Sequence, residues 1–483
     1  MKRFSLENIR HAARGKIWAC LLLVLVADIF FYDQPAGWTA GGFCLLLLTA
    51  IVVFNPESVR TKTGRIAMLL TFGQCLLLVN DPNKLSIILF IAGVASIDLT
   101  SRGVIYDDAL AWLRRVVRFI LSAIVKPFSN WPRHVRAVKR RRGGGRIESS
   151  LRGWTLPVVL TAVFILLFGS ANPILGNLLR AIKWDEFLPD LSWQRLLFWL
   201  FTGAVCWRVI RPRLHANRIV ARPKSRSHLV EWLFSGAAIL RSLVIFNILF
   251  AAQTAMDAAY LWGGAKLPDG MTYAQYAHQG AYPLIVTALL AAAFVLIVMR
   301  PGSGSAQSRL IRGLVYGWVG QNVFLVISSI WRTDLYVQEY SLTYLRLSAL
   351  IWMVLVATGL ILIVARMVFA RSNTWLINAN GLALLLVLYA CSATNLGGLI
   401  ADYNVRHCRE VTGQGNPLDV SYLEEIGPSA LPALFWLESH DQKEILPRTL
   451  KSSLDARQKN WRSWTFQGYL LSQYAQETMK GPM

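Results

Sequence analysis

Two apolar runs, each close to the roughly 20 residues that a membrane-crossing helix needs, lie back to back between Ser308 and Met367. Backbone N–H and C=O groups in hydrocarbon find no water, so a run of this length must pair them internally and fold as a helix. The runs are expected to flank a short loop holding Arg332, Asp334, Glu339 and Arg346, with Gln321 and Asn322 in the middle of the first. A chain with such a hairpin is committed to a helical membrane fold.

Composition agrees. Of 483 residues, 54% are hydrophobic and 16% charged, and mean hydropathy is +0.42, against about a quarter charged in soluble domains. The net charge of +23 could point to nucleic acid, but the basic residues concentrate in Ser101–Arg152 and Arg208–Arg226, between apolar runs. That is the signature of cytoplasmic loops. No nucleic-acid fold motif accompanies them, so nucleic acid is not an expected partner. Five cysteines (Cys20, Cys44, Cys75, Cys206, Cys391) fall within apolar runs and Cys408 stands alone, so neither a disulfide framework, a metal site nor a cofactor is expected.

The apolar pattern predicts an all-α protein with eleven spans. They are Lys16–Tyr32, Trp38–Phe54, Ile66–Val79, Leu85–Ile97, Trp154–Ser170, Trp193–Ile210, Leu229–Trp262, Ala281–Met299, the two arms of the hairpin, and Trp375–Thr394. The basic N-terminus lacks a small-residue cleavage site and reads as part of a retained first helix. Ile66–Ile97 is short for two crossings, which leaves a thin hairpin or a re-entrant pair open. Placing every basic loop inside gives an N-in, C-out chain.

Four units follow: a four-helix membrane unit over 1–106, a cytoplasmic linker over 107–152, a seven-helix unit over 153–394 and a periplasmic helical tail over 395–483. Within the linker, Arg114, Arg115, Arg118, Ser122 and Lys126 share one helical face, opposite Leu113, Val117, Ile120 and Ile124. Such a helix lies in the membrane surface. With Lys139, Arg140, Arg141 and Arg142 it is expected to fix topology, to meet anionic lipid head groups, or both. In the tail, Ser421 and Glu424 read as a capping box opening a helix over Tyr422–Ile426. Gly427 suits its end, Ser429 can cap a second helix over Ala430–Glu438, and Trp461 and Trp464 are expected to anchor the tail.

Ionisable groups inside a membrane are costly and are the first place to look for function. Arg241 lies near the middle of the seventh span with no acidic partner in reach on its own helix. In the ninth span, Gln321, Leu325, Ser328 and Arg332 share a stripe, with Asn322 and Ser329 at its edge, and Gly313 and Gly317 continue it inward as a close-packing pair. Interhelical packing explains this stripe; so does a polar cavity opening outward, with Arg332, Asp334, Glu339 and Arg346 as a salt-bridged lid or anion site. Asp28, Gln74 and His278 are lesser candidates. No hydrolase, metalloprotease, dinucleotide or nucleotide-phosphate motif is present.

The segments GQNVFLVISSIWRTDLYVQEYSLTYLRLSALIW, MTYAQYAHQGAYPLIVTALLAA, ADYNVR and LDVSYLEEIGPSALPAL resemble a family of bacterial multi-pass membrane proteins catalogued as a domain of unknown function. The shared pattern is carried by Gln321, Asn322, Arg332, Leu335, Tyr336, Tyr340, Leu342, Thr343, Leu345 and Arg346, within a resemblance covering Trp154 to Glu438. Ser341 stands where relatives often carry glycine. The resemblance implies a bacterial inner-membrane protein and supplies no activity. Three functions compete: a non-enzymatic protein that binds, moves or senses a solute or lipid in the hairpin cavity; a scaffold whose tail docks a periplasmic protein; and an outer-leaflet enzyme with Asp334 or Glu339 as base.

Overall fold

The computed structural model of the chain describes residues 6–129, 192–210, 236–259, 290, 294, 308–440 and 448–480, all helical or connecting, with no strand among them. In chain order the membrane part consists of α1 (Leu6–Phe31), α2 (Thr39–Phe54), α3 (Lys62–Asn80), α4 (Lys84–Ser101), α5 (Ala109–Ser129), α6 (Trp193–Ile210), α7 (Gly236–Asp257), α8 (Arg309–Tyr340), α9 (Tyr344–Val368) and α10 (Asn373–Ala393). Their start points follow from sequence. Thr61, Asn83, Ser308, Thr343 and Ser372 each accept a hydrogen bond from an N–H of the helix they precede, which satisfies a donor that the helix itself cannot.

Six described helices, α3, α4, α7, α8, α9 and α10, are long and apolar enough to cross a membrane, and α2 is a shorter apolar helix. The Ile66–Ile97 region therefore resolves into two helices of crossing length: the 19 residues of α3 and 18 of α4 extend the apolar cores by polar end turns. Helices α1 and α6 cover the first and sixth expected spans. The fifth span, all of the eighth except Leu290 and Phe294, and Lys139, Arg140, Arg141 and Arg142 lie outside the described residues.

Helix ends sort into two groups. At one end, Asn55 donates to the carbonyl of Ile210 (3.2 Å), and Tyr106 and the Ala109 N–H both donate to Asn378 (2.9 Å). At the other, Asn83 donates to the Ser392 carbonyl (3.2 Å). Helices α1–α4 and α6 share one core around Leu47, Ile51, Leu78, Ile97, Cys206 and Ile210; α7–α10 share a second around Leu243, Val315, Trp318, Met353 and Leu360. Outward faces such as Leu69 on α3, Phe201 on α6 and Ile361 on α9 are largely exposed, as a lipid-facing surface requires and a water-facing one resists.

Helix α5 forms where its basic amphipathic pattern expects it, but its faces differ. Trp112, Val116, Phe119 and Ile120 pack on Ala95 and Leu99 of α4, while Leu113 and Val117, expected with Ile120 on one face, are exposed. Two apolar stripes therefore flank the charged one, one used for packing on the bundle and one left outward.

The tail is a helical unit with its own core: α11 (Leu396–His407), a turn at Arg409–Thr412, α12 (Val420–Ile426), α13 (Leu431–Glu438), α14 (Arg448–Lys459) and α15 (Phe466–Lys480). Val405, Leu423, Leu431, Leu434, Phe435 and Leu454 fill it. The cap of α12 is Asp419, which accepts from the Tyr422 N–H at 3.0 Å, rather than Ser421; the carboxylate two residues earlier reaches an orphan donor of the first turn. Gly427 ends α12 at φ +83, as its position suggests, but a 3-10 turn over Gly427–Ala430 leads into α13 and Ser429 does not cap it.

The tail docks onto the bundle at the α1–α2 turn. Trp38 donates from its ring to the Trp461 carbonyl (2.7 Å) and from its backbone to the Trp464 carbonyl (2.7 Å), and Trp461 packs on Phe30 and Trp38. A Cβ on Gly37 would lie 2.2 Å from the Arg462 carbonyl, so only glycine permits this approach.

Candidate polar site

The ninth-span stripe packs against α7. On α7, Leu243, Asn247, Phe250, Thr254 and Asp257 recur at alternating spacings of four and three and so form one face. Asn247 donates to the carbonyls of Leu243 (2.8 Å) and Leu314 (3.1 Å), and Gln321 donates back to the Asn247 carbonyl (3.3 Å). Gly317 makes room for this: a Cβ there would sit 3.1 Å from Asn247 Oδ1, whereas Gly313 faces no described neighbour. Asn322 turns to its own helix, donating to the Trp318 carbonyl (2.8 Å).

Toward the tail end the seam becomes charged. Arg332 forms a buried ion pair with Asp257, the two side chains being 7% and 1% exposed. Gln253 donates to the same carboxylate at 2.9 Å. Desolvating such a pair is expensive, so its survival depends on good pairing geometry. Arg241, by contrast, is exposed; it lies two residues, about 200° of helical rotation, from Leu243 and is not brought into the seam.

The seam is incompletely paired. Among the described residues, Thr254 Oγ1, Asp257 Oδ2, Trp318 Nε1, Gln321 Oε1 and Ser328 Oγ are all buried with no hydrogen-bond partner. Buried polar groups are nearly always satisfied, and exceptions mark an unseen water, ion or ligand or a strained site. Five on two facing helix surfaces make one polar strip. Phe246, Phe250 and Phe294 surround the Trp318 ring, with centroids 5.1, 5.8 and 5.7 Å away, and form an apolar wall beside it.

The hairpin loop is shorter than the sequence implies. Helix α8 runs 32 residues, about 48 Å at 1.5 Å per residue, so it outruns a bilayer core of about 30 Å. Arg332, Asp334 and Glu339 are therefore on its last turns, and the turn proper is Ser341–Thr343, with Ser341 at φ +67. Asp334 and Glu339 are exposed, and Gln338 donates to Asp334 (2.9 Å). Arg346 folds back to donate to the carbonyls of Tyr340 and Ser341 and lies 4.2 Å from the centre of the Tyr336 ring. It closes the turn.

The tail grips this turn. Asn404 accepts from the Leu342 N–H (2.7 Å) and donates to the Leu342 carbonyl (2.9 Å), and Tyr422 accepts from the Tyr344 N–H (3.0 Å). The residues that carry the family resemblance thus converge: Tyr336, Tyr340, Leu342, Thr343 and Arg346 build the turn, and the ADYNVR and SYLEE segments hold it.

Two ion-paired clusters assemble around Asp28, a lesser candidate in sequence, and Asp98, which sequence did not single out. Asp28 on α1 accepts from Arg195 on α6 through both oxygens (2.9 and 2.5 Å) and from Trp199 (2.8 Å). At the opposite end Asp98 pairs with Arg102 (2.7 Å) and lies 4.0 Å from Arg208, with both guanidinium groups over Phe119. A usable signal existed: in an alternating topology Asp28 and Arg195 fall at the same depth, as do Asp98 and Arg208. Asp257, sixteen residues along α7 from Arg241, finds its partner Arg332 on α8 instead. Among the described residues no group of His, Cys, Asp and Glu could hold a metal ion.

No curated protein and no solved structure matches the chain. One family does, and its match begins at residue 19 rather than near Trp154, so the first helices, which look less typical in sequence, fall within it. It ends inside α13, leaving α14 and α15 beyond it. The chain belongs to this family, described as Domain of unknown function (DUF4153), over residues 19–435.

Proposed function

We propose that this is a non-enzymatic bacterial inner-membrane protein that binds, moves or senses a polar solute or lipid along the seam between α7 and α8, entered from the tail side. The observation that carries the reading is the row of five unpartnered buried polar atoms from Trp318 to Asp257. Gln321, Asn322, Ser328 and Arg332 line or flank this seam. Asp334, Glu339 and Arg346 shape its outer mouth, and Arg241, exposed on another face of α7, lies outside it.

The full topology we propose has eleven spans, with the N-terminus inside and the tail periplasmic. Support comes from charge: Arg60, Lys62, Arg65, Arg102, Arg208 and Arg371 gather at the end away from the tail, as cytoplasmic positions do. There α5 presents exposed Arg114 and Arg118 beside exposed Leu113 and Val117, a combination suited to anionic lipid head groups. Arg115 of the same face is ion-paired with Asp107.

The test is solvent access. In a variant free of native cysteines, Ser328→Cys is expected to react with a membrane-impermeant thiol reagent applied from the periplasmic side, and slowly from the cytoplasmic side. Exclusion of the reagent from both sides, in a folded protein, would sink the reading in favour of dry packing. A scaffold role is the second reading, favoured by one observation: Phe466, Tyr469, Leu470 and Tyr474 form an exposed stripe on α15. Loss of function on Leu470→Ser with Ser328→Ala tolerated would choose it.

A further inference from the structure

Where the tail meets the bundle there is a cleft of about 340 Å³, toward the small end of the range for small-molecule sites. It lies between the α3–α4 turn, the start of α9, the α10–α11 junction, and α14 and α15 of the tail. It is separate from the α7–α8 seam and does not depend on how that seam is read. Its position beside the ends of α3, α9 and α10 puts it level with lipid head groups.

Two opposite charges line it. Asp81 follows α3, and no described group donates a hydrogen bond to its carboxylate; Arg457 comes from α14 and makes one long hydrogen bond, to the Ala36 carbonyl at 3.4 Å. They feel one another electrostatically but do not form an ion pair in the structure. Gln458, also in the lining, has a buried Oε1 with no partner among the described residues. Its amide lies over Gly468, where a Cβ would come within 2.0 Å of it. Asn83 is unavailable, its amide being spent on the Ser86 N–H and the Ser392 carbonyl.

The unspent chemistry is specific. A primary ammonium offers three N–H donors, and the Asp81 carboxylate and Gln458 Oε1 are acceptors without donors. An anion is matched by Arg457, whose planar fork suits phosphate or carboxylate. A simple anion would face Asp81 and a simple cation Arg457, each a like-charge penalty. One ligand bearing both charges satisfies both walls.

We propose that this cleft binds a zwitterion with a primary ammonium and an anionic group, the ammonium at Asp81 and Gln458 and the anion at Arg457. Burial holds the Asp81 carboxyl above its ordinary range, a cost that a bound ammonium would relieve. The same chemistry is offered by a phosphoethanolamine lipid head group and by a free amino acid.

The test uses the purified full-length protein. Native mass spectrometry would compare retained phosphatidylethanolamine, phosphatidylglycerol and phosphatidylcholine, and thermal shift would be read with glycerophosphoethanolamine and with alanine. Phosphatidylethanolamine is expected to be retained about tenfold better than the other two, and Asp81→Asn and Arg457→Gln each to lose about tenfold, the scale of one charge-assisted hydrogen bond. Gly468→Ala should also lose binding by driving the Gln458 amide into the cleft. If only the water-soluble zwitterions shift the melting temperature, the assignment stands with a free ligand. Equal retention of all three lipids without any response to soluble zwitterions, or unchanged zwitterion binding in both charge variants with normal elution and helicity, overturns it.

Discussion

The hairpin tip and the α7–α8 seam are built from the same kinds of residue and end differently. At the tip Asn404 uses both ends of its amide on Leu342, Tyr422 takes the Tyr344 N–H, and Arg346 is absorbed by two carbonyls and a tyrosine ring. In the seam, less than the length of one helix away, five polar atoms have no partner among the described residues. A satisfied polar network fixes a conformation; an unsatisfied one costs free energy unless water or ligand completes it. The tip is therefore fully paired architecture, and the seam is where the proposed site rests.

Breaking the charged end of the seam should have the largest effect. Arg332→Met leaves Asp257 buried and unpaired, with an expected loss of about 3–5 kcal/mol, measured as thermal stability in detergent. The double variant with Asp257→Leu should recover most of it. Next is the tip: Asn404→Ala orphans the Leu342 N–H and carbonyl together, with an expected loss of about 2–4 kcal/mol, measured as faster proteolysis of the tail.

A smaller effect is expected from pH at the tail–bundle junction. Burial raises the Asp81 carboxyl, opposed by Arg457, with Tyr344 the other titratable group that it faces. The folded state therefore binds the proton more tightly than the unfolded chain. The contribution is present below the unfolded value and is lost as pH rises through the folded one. Tail docking without ligand should weaken slightly as pH rises through the acidic range, and Asp81→Asn should remove that dependence in a proteolysis assay. The smallest effect is predicted for Ser328→Ala: it deletes a hydroxyl that has no partner, so stability should change by less than about 0.5 kcal/mol. A loss several times larger would mean that Ser328 is part of a satisfied network and would erase the contrast between seam and tip.

Much of this was legible residue by residue. The Gln321–Ser328–Arg332 stripe is one helical face, and helical periodicity alone puts those side chains together. Gly317 announces a close neighbour, and Trp461 and Trp464 announce an anchor. Arg241 draws attention as a charge inside a span, and which way it faces, here an exposed face of α7, is not written in its own sequence. Asp334 and Glu339 read as loop residues because charge interrupts an apolar run, although α8 continues through them to Tyr340. The pairings of Arg332 with Asp257 and of Arg195 with Asp28 join helices far apart in the chain, and no local pattern names such partners.

By itself the sequence determined the class of fold, where most of the described helices run, and where along the chain the basic residues fall. These are local consequences of hydrophobicity, backbone hydrogen bonding and charge. Tertiary structure decided that α6 belongs with α1, that the tail closes on the hairpin tip, and which polar groups find partners and which do not. Whether a buried polar atom is satisfied depends on the neighbour that packing brings to it, and that neighbour can be hundreds of residues away.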